Sequence, residues 1–396
     1  MELLTGKIRH YPWGSREYMA NLRGEAVPSE RPEAELWFGA HPGGSATVGE
    51  TELIDVIAAD PESNLGARVC EKFGEGLPFL LKILAAGEPL SLQAHPSREQ
   101  AQEGFARENE CGIDPTADNR NYKDDNHKPE LIVALTDFEA MAGFRPLADT
   151  MALFERLGSS EVSRYVSMLE GSPAAESADL RVLFTTWITI PGANRTKLID
   201  DIVTCAALAL GDPELPEWMR EALTNVVALH NRYPYDVGVL GALLLNKFSL
   251  RPGEGVYLDA GQLHAYVKGL GVEIMANSDN VLRGGLTSKH VDVPELVRVL
   301  DFESLSDPRV AAQRADAVTT YPIPIDEFKL SRIDVEEAMT LSHDGPMIVL
   351  VTAGEAHCVC GATELSIPAG QAAWVPASDP SIELSGAGAE VFVATV

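Results

Sequence analysis

Along residues 1–95, apolar and polar positions form short runs broken by glycine and proline. RHYPWGS, AELWFGAHPGGSATV and GLPFLLKILAAGEPLSLQAHP read as strands joined by turns. In the last of these, the apolar run from Phe79 to Ala85, the Gly87-Glu88-Pro89 turn and an alternating return strand predict a hairpin. Ser97 then stands as N-cap, with Gln100 at the capping-box position, of a helix over SREQAQEGFARE. A polar loop, CGIDPTADNRNYKDDNHKP, leads into ELIVAL, which has the composition of a buried strand.

From about residue 147 to 232 the spacing turns helical. In PEWMREALTNVVALHNRYP, Trp218, Ala222, Val226 and Leu229 fall on one helical face, with Pro234 beyond the end. Strand patterning returns over Asn246–Leu258 and alternates through Ile274. A helix is predicted for VPELVRVLDF, and the region from about 315 to Val396 is strand-like throughout. Gly253, Tyr257, Leu258 and Ala260 recur at the spacing of Gly370, Trp374, Val375 and Ala377, and both copies read as turn, strand, turn. Only the first copy is followed by a histidine, His264. Duplication of one barrel would explain the echo, and so would chance, since Gly-aromatic-aliphatic runs are common in strands.

The architecture that fits is mainly β with a helical insertion: two antiparallel jelly-roll barrels plus an α-helical domain. The expected division is 1–146 with 233–312 for the first barrel, 147–232 for the insertion and 313–396 for the second barrel. Simple βαβ alternation and a G-x-G-x-x-G after a strand are both absent, which disfavours a doubly wound nucleotide fold.

At 396 residues the chain is long enough for two or three domains. A formal net charge of -28, from 31 basic and 59 acidic side chains, argues against nucleic acid or an anionic membrane as main partner. An anionic ligand would have to be captured by locally placed cations. The charge itself reads as a solvated acidic surface. The cysteines are few and odd in number: Cys70, Cys111, Cys205, Cys358 and Cys360. They lack C-x-x-C pairing, and Cys358-Val359-Cys360 reads as alternate residues on one strand, as in a reduced, cytoplasmic protein. MELLTGKIRHYPWGS has no apolar core behind a basic start, and no window holds about 18 uninterrupted apolar residues, so neither secretion nor membrane spanning is expected.

Two constellations can carry chemistry. Gln93 and His95 sit at i and i+2 on a candidate strand and so face one side. Glu130 starts the ELIVAL strand, and His264 follows the Asp259-Ala260-Gly261 turn. Two imidazoles, a carboxylate and an amide oxygen can hold a borderline metal with a position open for substrate. Each residue also has an ordinary reading as a solvated pair, a strand-edge charge or a satisfied loop histidine, and both stand at this level. The second constellation is NSDNVLRGGLTSKHVD. Arg283 precedes two glycines expected to let backbone approach a ligand closely, and Lys289 lies six residues on, with Asp279 and Asp292 nearby. This is a phosphate site or a surface loop with paired charges. Trp13 and Trp37 read as core or cavity wall, His41 as a turn residue, His127 as an orienter of its loop, and His343 and His357 as structural.

With these residues in view the chain resembles the type I phosphomannose isomerase family, within the cupin superfamily. The matching stretches are YPWGS, ELWFGAHPGGSA, LPFLLKIL, LSLQAHPS, NHKPEL, MAGFRP, GEGVYLDAGQLHAYVKGLGVEIMANSDNVLRGGLT and KHVD, in the family's order across residues 11–292. Asp125 and Ser288 depart from it, standing where many relatives carry proline. The resemblance implies one zinc ion per chain on Gln93, His95, Glu130 and His264, with Arg283 as catalytic arginine. It places Glu35, Lys82, Ser91, Lys128, Tyr266, Glu273, Asp279 and Lys289 in or near the cavity, with Glu273 or Lys128 moving the proton. It further implies interconversion of mannose 6-phosphate and fructose 6-phosphate through an enediolate, by a monomer whose partner is a small phosphorylated sugar. The competing readings are a non-catalytic sugar-binding or regulatory cupin with a structural metal, a metal-dependent oxygenase of the same barrel class, and an isomerase of another phosphorylated aldose.

Overall fold

Every residue of the strand Phe79–Ala86 is buried, because it pairs on both edges: with Glu35–Phe38 on one side and with residues 269–276 of the long strand His264–Ala276 on the other. The structure, a computed structural model, describes residues 1–396. Alternation along this strand separates two environments. Leu81, Ile83 and Ala85 join a core with Leu36, Phe38, Leu131, Val133, Val272 and Ile274. Leu84 and Ala86 face the other way, with Ile132, Ala134, Phe138 and Tyr266. Lys82 falls on this second face, and so does Glu130 at the head of the strand Glu130–Ala134. Glu273, opposite Lys82 in the register, lies between Val272 and Ile274 and points the same way. The period of two thus collects charged side chains on the inner face of an otherwise apolar sheet.

The hairpin expected over residues 79–94 does not form. Phe79–Ala86 and Leu92–Ala94 do not pair; Leu92–Ala94 pairs instead with His264 of the long strand and with Leu282–Gly285. The intervening turn is claimed by distant backbone: the amides of Gly87 and Glu88 donate to Trp13 O (2.9 and 3.1 Å), and that of Leu90 to Tyr266 O (2.9 Å). The helix after it is Arg98–Glu110, with the Ser97–Gln100 capping box complete, a feature that stabilises a helix start by about 1 kcal/mol.

Helices occupy Leu147–Leu157, Ser160–Val166, Glu176–Ile188, Gly192–Ala209, Glu217–Arg232 and Gly238–Leu244. In Glu217–Arg232 the buried face is Met219, Ala222, Leu223, Val226 and Leu229. Trp218, expected on this face, is instead exposed, its place taken by Met219, and lies under the Arg145 guanidinium. These helices share one apolar core with Leu92, Ala94, Ala265 and Leu282, each buried leucine contributing about 1.5–3 kcal/mol. Their chain neighbours Gln93, His264 and Arg283 therefore face away from the helices, toward the charged side of the sheet.

Beyond residue 313 all elements are strands. They form a four-stranded sheet and most of a nine-stranded one, which also takes in Glu2–Thr5, paired with Ala372–Val375. The sequence echo is a structural one locally: Gly253 (φ 88°) and Gly370 (φ 83°) both precede short strands, Gly255–Leu258 and Ala372–Val375. Cys358 and Cys360 are buried on the strand Glu355–Cys360, and all five cysteines are free. No helix is long and apolar enough to cross a membrane.

Candidate metal centre and its cavity

His95, just past the end of Leu92–Ala94, Glu130 and His264 are buried, and their ligating atoms lie within 4.8 Å of one another. His95 Nε2 is 3.4 Å from Glu130 Oε1, and His264 Nε2 is 3.4 Å from Glu130 Oε2. The other imidazole nitrogens are committed. His95 Nδ1 lies 2.7 Å from Asn280 O, and His264 Nδ1 lies 2.9 Å from Gln262 O. A carbonyl only accepts, so each ring donates from Nδ1 and turns a bare Nε2 lone pair inward.

Those two Nε2 atoms and Glu130 Oε2 are buried without any hydrogen-bond partner. Three inward-facing lone pairs with no donor between them are a costly arrangement for a protein interior, and a divalent cation resolves it. Burial pushes His95 down to about 4, reinforced by Lys128, so the ring is neutral as a ligand must be. Burial would raise the Glu130 carboxyl, but its charged surroundings, Lys128 foremost, hold it well below the usual range. Lys128 Nζ lies 2.7 Å from Glu130 Oε1. The donor set, two neutral imidazoles and one carboxylate, suits zinc.

A cavity of about 430 Å³ opens beside this group. Gln93, Glu35, Lys82, Ser91, Lys128, Glu130, Tyr266, Glu273, Asp279, Arg283 and Lys289 all line it; His95 and His264 meet it through Glu130. A groove of about 1020 Å³ near Trp218 and Arg309 is larger but contains none of these residues. Glu273 is held at both oxygens: Tyr266 Oη donates to Oε1 (2.8 Å) and Lys82 Nζ to Oε2 (3.0 Å). Burial raises the Glu273 carboxyl against the pull of Lys82. Lys82 would be lowered by burial, but Glu273 and Glu35 prevail and hold it raised, fully charged. Burial lowers Arg283, and it lowers Lys289 too, with help from Arg283 and Lys123.

Some expectations need correction. Gly284 and Gly285 do not bring backbone to a ligand. A Cβ on Gly285 (φ 123°) would lie 2.4 Å from Gly238 N, and one on Gly284 would meet Leu263, Leu296 and Leu92. The glycines let Leu282–Gly285 seat against the helical layer. Asp292 caps the helix Val293–Val299 through Glu295 N (3.1 Å) instead of facing the cavity. His41 is a turn residue, its Nδ1 accepting from Gly43 N, but its Nε2 also lies 3.7 Å from Asp279. Sequence reasoning missed Lys123 on the cavity wall and the buried Asn280 behind His95. Lys123 lies in the polar loop and Asn280 in a family-matching stretch, yet nothing in periodicity or residue type sets them apart.

The family model described as phosphomannose isomerase type I, catalytic domain, matches residues 1–147. Mannose-6-phosphate isomerase of Escherichia coli K12 is 37% identical, with 98% of each chain covered. Mannose-6-phosphate isomerase 1 of Arabidopsis thaliana is 33% identical, covering 96% of this chain and 90% of its own. A crystal structure of mannose 6-phosphate isomerase bound with zinc and yttrium superposes with a TM-score of 0.89 at 35% identity, covering 100% of this chain and 99% of that one. Full-length identity at this level, joined to a buried His–Glu–His group beside a cation-lined cavity, places the chain in the type I phosphomannose isomerase family.

Proposed function

We propose that the chain is a zinc-dependent aldose–ketose isomerase interconverting mannose 6-phosphate and fructose 6-phosphate. The observation that carries this reading is the set of three orphaned donor atoms on His95, Glu130 and His264 beside a cavity walled by Arg283 and Lys289. Gln93, whose strand pairs with His264 and with Arg283, would complete the ligand set. When bound, zinc supplies Lewis acidity toward the sugar's oxygens.

The isomerisation takes a proton from C2 of the aldose, forming an enediolate, and returns one to C1. Glu273 is the group favoured to move it. Its carboxyl is raised by burial toward the range useful near neutrality, while Lys128 is engaged with Glu130. Tyr266 and Lys82 orient Glu273 and keep it from rotating. Arg283 stabilises charge developing on the enediolate, and Lys289 holds the phosphate. Glu35, Ser91 and Asp279 offer hydrogen bonds to the sugar hydroxyls. The fold supports a reading as two jelly-roll barrels, 1–146 with 233–312 and 313–396, flanking a helical domain at 147–232. The repeated turn–strand–turn units are its main support. The reading includes a monomeric, cytoplasmic enzyme with no nucleic-acid or membrane partner.

The test is conversion of mannose 6-phosphate to fructose 6-phosphate before and after chelation, with zinc add-back. Activity lost to the chelator and restored by zinc is expected; chelator-insensitive turnover would remove the metal from the mechanism.

A further inference from the structure

Half of the cations lining the cavity are neutralised: Lys82 by Glu273 and Glu35, Lys128 by Glu130, Arg232 by Glu88. Three are not. Arg283, Lys289 and Lys123 line one continuous wall, shared between the 430 Å³ cavity and an adjoining chamber of about 370 Å³. None makes an ion pair within 4.0 Å, although Asp118 and Asp279 border the same space. In a chain of net charge -28, three cations left without carboxylates around one opening are placed for an anion that arrives from outside.

We infer that Lys123 is the third cation of the phosphate grip, joining Arg283 and Lys289 on the same wall. This inference rests on the assignment of Lys289 to the substrate phosphate and adds to it a residue on a different segment, the long polar loop. That loop is fixed at this point. Asn280, with no exposed surface, accepts at Oδ1 from the amides of Lys123 (2.7 Å) and Asp124 (3.3 Å), and donates from Nδ2 to Asp124 O (2.8 Å) and Asn126 O (2.9 Å). The backbone of Lys123 is therefore held while its side chain stays exposed and free to fold onto a ligand. Burial depresses Lys289, and the like charges of Arg283 and Lys123 add to it; a bound dianion would relieve that crowding. A flexible ammonium at the rim suits a phosphate that must enter and leave.

The probe is inorganic phosphate as a competitive inhibitor, alongside mannose 6-phosphate and unphosphorylated mannose as substrates, using the zinc-loaded full chain. Lys123→Met should raise both the KM for mannose 6-phosphate and the Ki for phosphate about tenfold, the effect of one charge-assisted contact. It should leave kcat within about twofold and kcat/KM for mannose unchanged, and Lys123→Arg should restore most of the loss. Unchanged phosphate Ki in Lys123→Met, with a raised Ki in Lys289→Met, would remove Lys123 from the grip and leave the site where it is. Unchanged Ki in both variants would overturn the phosphate assignment itself, and this inference with it.

Discussion

Nδ1 of His95 lies 2.7 Å from the main-chain oxygen of Asn280, and the side chain of that same asparagine ties down the loop from Lys123 to Asn126. One buried residue thus sets the ring plane of a candidate metal-ligating histidine with its backbone and holds the loop that carries Lys123 with its amide. Replacing Asn280 by leucine keeps the branched shape of the side chain but strands the amides of Lys123 and Asp124 and the carbonyl of Asp124. An unsatisfied buried polar group costs about 1–3 kcal/mol, so a large fall in Tm is expected. Outer-shell changes of this kind weaken metal binding about 10–100-fold. Competition with a chromophoric chelator would measure the zinc affinity, and an unaltered zinc Kd would refute the coupling.

Substitution of Arg283 is expected to separate catalysis from metal retention. Its strand pairs with Gln93 in register, yet its side chain makes no hydrogen bond to any of the candidate metal ligands. Arg283→Ala should lower kcat by about 10²–10³-fold, the usual effect of losing a donor aimed at developing negative charge. Zinc content by atomic emission should stay at one per chain. Normal turnover in this variant would contradict the role given to it.

Lys82 is the counter-charge for two buried carboxylates, 3.0 Å from Glu273 and 3.7 Å from Glu35. Lys82→Met would leave them facing each other without compensation and should destabilise the fold by about 3–5 kcal/mol. Adding Glu273→Gln to Lys82→Met removes one of the stranded charges and should recover part of that loss in urea unfolding. If the double variant is no more stable than the single one, the pair is not coupled as the distances imply.

Much of the site was legible because strand alternation is a local rule. It puts Gln93 opposite Leu92 and Ala94, and Glu130 with Ile132 and Ala134, before any contact is known. The Ser97–Gln100 capping box is likewise local, and it formed as read. What stayed hidden depends on residues far apart in the chain. The turn at Gly87-Glu88-Pro89 has hairpin chemistry, yet strand order is decided by His264–Ala276, which pairs with the strands on both sides of that turn. Gly284 and Gly285 have the look of room made for a ligand, but the space they make is filled by Gly238 and by leucine side chains. Lys123 looks like any surface lysine until the ion pairs of its neighbours are counted and it is found to have none.

A carboxylate from the region after residue 313 is held against two segments that flank the site, and this gives a pH-dependent prediction. Glu327 accepts from Arg98 at 2.5 Å and lies 2.6 Å from His127 Nε2; it thereby joins the helix that follows His95 to the loop that carries Lys128. Burial would raise its carboxyl, but His127 and Arg98 prevail and pull it down to about 2 from 4.5. A carboxyl with a depressed folded value contributes stability above its unfolded value, and loses that contribution as pH falls toward the folded one. Wild-type protein should therefore exceed Glu327→Gln in stability by about 1.5–3 kcal/mol, the range for hydrogen bonds to charged groups, at pH values above about 4.5. The gap should narrow steadily as pH drops from there toward 2. Thermal unfolding of both proteins across this range measures it. A gap that is absent at neutral pH, or that widens in acid, would show that Glu327 does not clamp the two segments through its charge.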